Sequence, residues 1–369
     1  MNDIILAQLL EHFKTIIEEI MLKERRNYLL ENSNTRANGY YTRTPKTILG
    51  EMELNIPRTR DGKFKSSILP ERKRAVFMLD EVVRALFISG VSSRKVGEII
   101  KTLIGSSLSH SFISSTLDIA EEVISEFKSR KLVDDYPVLY IDATYVALKR
   151  DSVEKEAVYV VLGLKKDGSR DVLAYYLPGG SEKASVWKEI LEDLRERGLK
   201  SVRMIISDDL AGLDEAITDV FPSVEHQLCW FHLKRNIKNR VRKRHWDEIL
   251  RELNEVMNSD SIDEGREKME RFIEKWSRFY RFLGNLGKKV NNYTYFLRFH
   301  RDIRSYFRTT NWLERCFKEL KDYIRVRGYF HTEGRAEKFL YLFFSDKGLK
   351  YRSRKLKYSE LIEEAFANE

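Results

Sequence analysis

The stretch VLYIDATYV at residues 138–146 has the composition of a buried strand, yet it carries an aspartate at its centre. An unpaired carboxylate in apolar surroundings is strongly disfavoured. Asp142 therefore needs compensation, and divalent cations shared with other carboxylates would supply the missing charge. The stretch thus predicts both a strand and a candidate site.

The segments that follow predict a mixed α/β sheet. A turn signal at Asp167-Gly168 separates two strands, and Gly198 ends a helix. The predicted order is three strands, helix, strand, helix and strand: 138–149, 157–165, 171–177, 185–197, 202–207, 213–221 and 224–231. Three antiparallel strands followed by this alternation is the order of the ribonuclease-H-like fold, an α/β fold with a mixed five-stranded sheet.

Two more carboxylates are predicted to join Asp142. Asp208 ends the apolar run at 204–206, and Glu314 follows Asn311 at the start of an amphipathic helix. In the predicted fold the first and fourth strands lie side by side, so Asp142 and Asp208 would face one another. Such a trio suits a two-metal phosphodiester site with Mg²⁺, for which Mn²⁺ could substitute. Asp209, one residue further on, is expected to point to the opposite face.

A Cys-x-x-His pair, Cys229 and His232, follows the fifth predicted strand. A structural zinc site needs four ligands, and no second paired motif exists, although Cys316 with His226 or His245 could add ligands. The preferred hypothesis is that Cys229 and His232 lie beside the carboxylates and support the site. A histidine satisfied within the core remains the alternative.

Excess positive charge indicates a polyanionic partner. The chain of 369 residues has a formal net charge of +9, although a basic protein without such a partner would show the same balance. The predicted DNA contacts are basic residues of a turn near Asp61, of the segment after His232 and of the Glu314 helix: Arg58, Arg60, Lys63, Lys234, Arg235, Lys238, Arg242, Lys318, Lys321, Arg325 and Arg327. Ordinary solvated charge is the competing interpretation.

The chain is predicted to contain six segments. They are an N-terminal amphipathic helix (1–30), a basic hairpin segment (31–70), a helical domain resembling a helix-turn-helix (71–134), the first part of a catalytic domain (135–232), an all-helical insertion (233–305) and the second part of that domain with a basic tail (306–369). Plain helical packing would explain 71–134 equally well.

The sequence also predicts where the protein acts. No apolar run approaches the ~20 residues of a membrane span. An N-terminal stretch broken by Asp3 and Glu11 does not suit a signal peptide. With two cysteines a disulfide framework is not expected, and we expect a cytoplasmic protein.

Motifs spread in order from about residue 38 to 345 carry a resemblance. They are NGYYTR (38–43), GEMELNIPR (50–58), YIDA (140–143), KEAVYV (155–160), SDDLAGL (207–213), QLCWFHLKRN (227–236), TTNWLER (309–315) and RVRGYF (325–330). In these motifs the chain resembles the Mutator-like transposases of prokaryotic insertion sequences, which have an active site of two aspartates and one glutamate. The set in order is far more specific than any single match.

The resemblance implies a ribonuclease-H-like catalytic domain with an all-helical insertion before the glutamate. It also implies Mg²⁺-dependent cleavage and joining of DNA at terminal inverted repeats, insertion into target DNA, and action as a homodimer. A ribonuclease-H-like nuclease or resolvase could use the same fold and metals. A catalytically inactive DNA-binding regulator is the alternative from another class.

Overall fold

The chain forms two compact units, residues 1–119 and 120–369. The computed structural model describes residues 14–15, 18–19, 21–30, 32, 34–44, 46–47, 50–51, 53–66 and 121–367. The predicted helical domain at 71–134 therefore lies outside the described residues up to position 120. Its last part contains helix α1 (Glu121–Ser129), which belongs to the second unit.

In the first unit, residues 21–30 are helical and two short antiparallel strand pairs follow. Strand β1 (Ala37–Arg43) pairs with β4 (Leu54–Thr59), and β2 (Lys46–Thr47) pairs with β3 (Gly50–Glu51). The predicted hairpin segment has its turn near Asp61, whereas β4 pairs with the upstream strand β1.

A hairpin with its turn at Asp61-Gly62 requires a return strand, and the described residues 63–66 form none. Thr59 and Asp61 explain the difference. The Thr59 hydroxyl donates to Asp61 Oδ1 at 2.5 Å and accepts a hydrogen bond from the backbone N–H of Phe64 at 3.3 Å. Because the Thr59 side chain pairs with the backbone N–H of Phe64, the chain turns without forming a strand ladder.

The second unit is built on a five-stranded mixed sheet, as predicted. Its strands are β5 (Val138–Lys149), β6 (Val153–Leu164), β7 (Arg170–Tyr176), β8 (Met204–Ser207) and β9 (Glu225–Leu228). Their spatial order is β7-β6-β5-β8-β9. The pairs β5–β6 and β6–β7 are antiparallel, whereas β5–β8 and β8–β9 are parallel.

Helices cover the sheet and explain why β5 begins with a wholly apolar run. Helices α2 (Ala184–Glu196) and α3 (Leu213–Val220) bury Trp187, Leu191 and Ile217 in the core beside Ile141. A strand buried in this way is expected to be apolar at successive positions.

The fifth strand ends earlier than predicted, because the chain enters helix α4 (Trp230–Lys238) after Cys229. The Trp230 indole is fully buried and donates to the carbonyl of Tyr293 at 2.7 Å. The expected strand at 224–231 is therefore wrong after Leu228, and His232 lies in the first turn of a helix.

Residues 233–305 contain helices and turns and no strand. The rest of α4 is followed by α5 (Lys243–Met257), α6 (Ile262–Ser277), a 3-10 helix (Arg281–Lys289), α7 (Val290–Thr294), a second 3-10 helix (Tyr295–Arg298) and the start of α8 (Arg304–Phe307). The chain then returns to the sheet through α9 (Asn311–Arg327), which packs on β5.

The C-terminal region contains two helices, and the first extends into the expected basic tail. Helix α10 (Glu333–Arg352) packs on β7 and is followed by α11 (Ser359–Ala367). Within the expected tail, Lys347 is buried and forms an ion pair with Glu319. This part of the tail contributes to packing.

Arg304 is expected to be the main polar anchor between the insertion and the chain that leads to α9. Its buried guanidinium donates to the backbone carbonyls of Ser259 (2.6 Å), Asp260 (3.0 Å), Leu297 (2.6 Å) and Phe299 (2.7 Å). Arg304→Ala should lower the free energy of unfolding by about 3 kcal/mol, because it leaves buried acceptors unpaired.

Urea denaturation measures the effect of Arg304→Ala, with Arg301→Ala as the matched control. Arg301 pairs with Asp260 at the surface, so its replacement should cost at most about 1 kcal/mol. Equal losses in the two variants would contradict the anchoring role.

Candidate active site

Asp142 and Asp208 lie on neighbouring parallel strands. Tyr140 of β5 is in register with Ile206 of β8, and the two aspartates lie two residues further along each chain. Asp208 directly follows the end of β8, whereas Asp142 lies within β5 and is only 8% exposed. The pairing of β5 with β8 is the one expected from the strand order.

Two helix N-termini bring the remaining side chains to Asp142. Glu314 lies in the first turn of α9, and His232 lies in the first turn of α4. One ligand atom each of Asp142, His232 and Glu314 lies within 4.8 Å of the others. Residues separated by up to 172 positions in the sequence thus meet in one place.

His232 is the centre of the cluster. Its Nε2 hydrogen-bonds Glu314 Oε1 at 2.6 Å, and its Nδ1 lies 3.6 Å from Asp208 Oδ1. That Nδ1 is buried and has no hydrogen-bond partner among the described residues. The ring therefore hydrogen-bonds one of the three predicted carboxylates and lies between it and a second, Asp208.

Thr310 links Cys229 to Asp142. The fully buried Thr310 directs its hydroxyl towards Asp142 Oδ2 at 3.2 Å and Cys229 Sγ at 3.5 Å. Its backbone N–H donates to the same sulfur at 3.4 Å. Cys229 therefore holds the N-terminus of α9, and with it Glu314, against the sheet.

The electrostatics of the cluster favour a positive charge among its carboxylates. Burial raises the pKa of Asp142 to about 7; the charge of His232 opposes this increase, and the charges of Glu314 and Glu182 add to it. The hydrogen bond from His232 lowers the pKa of Glu314. Burial alone would lower the pKa of His232, but interactions with Cys229 and Glu314 outweigh it and raise the pKa to about 11. A positive charge among these carboxylates is thus strongly stabilised.

Glu182 is a fourth carboxylate that the sequence analysis missed. Burial and the charge of Asp208 raise its pKa, and its Oε1 accepts a hydrogen bond from the indole of Trp187 at 2.8 Å. Its backbone N–H donates to the hydroxyl of Tyr145 at 3.4 Å. Glu182 lies in a polar loop before α2, and nothing in the local sequence distinguishes it from a surface acid.

The rival aspartates have other partners. Asp209 forms an ion pair with Lys289. Asp214 is paired with His226 at 2.7 Å and Asp219 with Lys188 at 2.6 Å, and both aspartates are exposed. Asp208 is therefore the aspartate of this segment that contacts the cluster.

A zinc centre built on Cys229 and His232 is not supported within the described part of the chain. The group with metal-ligand spacing there consists of Asp142, His232 and Glu314, and it does not include Cys229. Cys316 is buried and reduced, and burial raises its pKa to about 12, which opposes the thiolate form that binds zinc.

Most of the predicted DNA contacts with described side chains are exposed. In the first unit these are Arg58, Arg60 and Lys63, and in the second unit Arg235, Lys238, Arg242, Lys318, Lys321 and Arg325. Lys234 differs, because it is half-buried and donates to Asn254 at 2.7 Å. The Arg327 side chain lies outside the described part. Asn311 is exposed at the start of α9.

Replacing His232 with alanine should weaken metal-dependent activity about 10–100-fold, the effect expected for a residue that orients ligands. The loss of activity should be smaller at high Mg²⁺. The variant lacks the contact that orients Glu314, so it should bind the metal more weakly, and a higher Mg²⁺ concentration compensates for weaker binding. DNA nicking across a Mg²⁺ titration measures this, with His300→Ala, an exposed histidine, as the control. An unchanged Mg²⁺ dependence would contradict the role.

Carboxylates gathered beside a mixed α/β sheet point to a metal-dependent enzyme, and comparison with known proteins gives the class as transposase. The family model described as "Transposase, Mutator family" matches residues 3–353. The chain belongs to this Mutator family of transposases, whose members cleave and transfer DNA.

Individual transposases are similar over most of their length. The transposase for insertion sequence element IS905 of Lactococcus lactis is 30% identical over 323 residues, covering 88% of this chain and 82% of its own. The transposase for IS256 in transposon Tn4001 of Staphylococcus aureus is 29% identical over 341 residues, covering 88% and 86%.

Among solved structures, the Drosophila P element transposase strand transfer complex aligns over 84% of this chain and 83% of that one, with 14% identity and a TM-score of 0.33. A likeness at this level does not establish a shared fold.

No helix in the described part of the chain is long and apolar enough to cross a membrane.

Proposed function

We propose that this transposase binds the terminal inverted repeats of an insertion sequence and cleaves and joins DNA strands by a two-metal phosphodiester mechanism. Its catalytic domain would be ribonuclease-H-like, which the strand order β7-β6-β5-β8-β9 supports. The observation that supports the proposal is the cluster of Asp142, His232 and Glu314, in which His232 Nδ1 lies 3.6 Å from Asp208 Oδ1.

The donor set fits divalent cations. Asp142, Asp208 and Glu314 offer the hard oxygen ligands that Mg²⁺ prefers, and Mn²⁺ accepts the same donors. The buried Asp142, with a pKa raised to about 7, would be relieved by a cation. Two such ions would supply activation of the attacking hydroxyl and stabilisation of the leaving oxygen.

The protein's own groups orient these donors. Thr310 directs its hydroxyl towards Asp142 Oδ2 and leaves the other oxygen to the Ala143 N–H at 2.8 Å. His232 holds Glu314 Oε1 and places its unpaired Nδ1 towards Asp208. The side chains are therefore positioned before a strand arrives, so little reorganisation is needed at the moment of reaction.

Exposed cations near the cluster would hold the DNA backbone. Arg235 and Lys321 lower the pKa of Glu314 through their charge, so both lie close to the site. Arg235, Lys318, Lys321 and Arg325 would contact phosphates, which makes binding steeply dependent on salt. Arg58, Arg60 and Lys63 of the first unit would add sequence-independent contacts.

We further propose that two copies act together on terminal repeats and target DNA. An element has two ends, whereas the described part of one chain carries one such cluster. Sedimentation of the DNA-bound protein would show the copy number.

A reaction with labelled DNA carrying the sequences that flank the gene tests the proposed function. With Mg²⁺ we expect nicks at the element ends and products in which an end is joined to another DNA; with EDTA we expect neither. Nicks without joined products would favour a nuclease or resolvase. Binding without either product would favour an inactive regulator.

A further inference from the structure

A cavity of about 280 Å³ adjoins the candidate active site in the second unit. One side is formed by α4 and the chain just after it, and the other by the 3-10 helix Arg281–Lys289 and α7. Asp209 and Leu233, the immediate neighbours of Asp208 and His232, line this cavity. Two different elements thus contribute to the cavity a residue that is next in sequence to a member of the cluster.

Tyr293 forms part of the cavity wall and also lies near the carboxylates of the cluster. This tyrosine lines the cavity and is 2% exposed. Burial raises its pKa, and the charges of Asp209 and Asp208 raise it further. Groups in the cavity are thus within electrostatic reach of the carboxylates.

The lining combines an aromatic stack, an apolar floor and unpaired amides. The Arg240 guanidinium carbon lies 3.8 Å from the centre of the Phe282 ring. Leu233 and Leu286 are buried and apolar. Asn236 and Asn285 are exposed at the edge, and neither side chain has a hydrogen-bond partner among the described residues.

These groups match the chemistry of a nucleobase. A base has a flat face that stacks on aromatic rings and on guanidinium planes, and an edge that amides recognise through paired donors and acceptors. The volume is near the lower end of the ~300–1,000 Å³ typical of small-ligand pockets. The exposed Arg240 would suit a phosphate beside that base, whereas Lys289 is already paired with Asp209.

We propose that this cavity binds one unpaired base of the DNA strand that enters the active site, stacked against Phe282 and Arg240 and recognised by Asn236 and Asn285. The proposal rests on the proposed function, because DNA bound at the carboxylates places a base within reach. Holding the base outside the helix would fix the position of the scissile phosphate. It would also select DNA whose end is already distorted, since unstacking costs least for an unpaired base.

Equilibrium binding in EDTA to two short fluorescein-labelled duplexes tests the proposal. One duplex is fully paired, and the other carries a single unpaired thymine. The wild-type protein should bind the bulged duplex about tenfold more tightly, within the range expected for stacking one base on an aromatic side chain. Phe282→Ala should bind both duplexes equally.

Phe279→Ala is the matched control, because Phe279 is 65% exposed and does not line the cavity. It should keep the full preference. Asn236→Ala, an exposed position where folding is not at risk, should reduce the preference without changing affinity for paired DNA.

Equal wild-type affinity for the two duplexes overturns the proposal, as does identical behaviour of Phe279→Ala and Phe282→Ala. If Mg²⁺-dependent nicking persists in either case, the proposed function stands and only the base pocket fails. Absence of binding to both duplexes overturns the pocket and the DNA-binding function together.

Discussion

Replacing Asp142 with asparagine should reduce Mg²⁺-dependent DNA nicking by at least about 10³-fold while making the metal-free protein more stable. Activity falls because the buried ligand loses its charge, and removing even one charge-stabilising group costs about 10²–10³-fold. Stability rises because burial raises the pKa of the Asp142 carboxyl to about 7, so at pH 8 the folded protein contains a disfavoured charge.

The effect of Asp142→Asn on the free energy of unfolding depends on pH. A carboxyl with a raised folded-state pKa binds more protons in the folded than in the unfolded state between pH ~4 and ~7, so its contribution falls as the pH rises through that window. In EDTA at pH 8, the free energy of unfolding of Asp142→Asn should therefore exceed that of the wild type by on the order of 1–4 kcal/mol. Near pH 4 the two should be equal.

Urea denaturation at the two pH values measures the Asp142→Asn effect, and the DNA-nicking assay measures activity. Asp219→Asn, at an exposed carboxylate outside the cluster, should change neither. A variant that is inactive and also less stable at pH 8 would indicate disrupted packing and would contradict the account.

Replacing Glu314 with glutamine should also reduce nicking by at least about 10³-fold, but with the opposite effect on stability. The hydrogen bond from His232 lowers the pKa of Glu314, so the charged form is favoured in the folded protein. The neutral amide keeps the shape and loses a charge-assisted bond. The free energy of unfolding should fall by about 1–3 kcal/mol.

The stability loss of Glu314→Gln should be full at neutral pH and should disappear as the pH falls through the folded-state pKa of Glu314, where the wild-type carboxyl is itself protonated. Asp322→Asn, at an exposed position on the same helix, is the matched control. Undiminished nicking by Glu314→Gln would remove Glu314 from the site.

The two variants together separate a ligand role from a packing role. A residue that only maintained the fold would lose activity in proportion to stability. Asp142 and Glu314 are instead expected to lose activity alike and to shift stability in opposite directions, because one carboxylate is opposed by its surroundings and the other is supported by them.

Much of the sheet could be predicted because its strands are apolar on both faces and separated by clear turn signals. The segment at 138–149 matched β5 at both ends. Strand β1 could not be predicted, since its tyrosines and polar residues are exposed and give no buried stripe. The predicted end of the fifth strand was wrong because Trp230 and Phe231 continue an apolar run. Such a run is compatible with both a strand and a buried helix.

The candidate site was predictable where a carboxylate interrupts or ends an apolar segment. Asp142 and Asp208 are of this kind, and strand order alone places β5 beside β8. Glu182 and Thr310 were not predictable, because each becomes part of the site only through tertiary contacts with Trp187, Asp208 or Asp142. The bridging position of His232 likewise depends on the helix that starts at Trp230.

A crystal structure of the DNA-bound protein with Mn²⁺, using the anomalous signal of the metal, tests the central claim most directly. Two metal peaks are expected, ligated between them by Asp142, Asp208 and Glu314, with a DNA phosphate bridging the ions. A complex in which any one of the three carboxylates lies beyond ligand distance of both peaks would contradict the account.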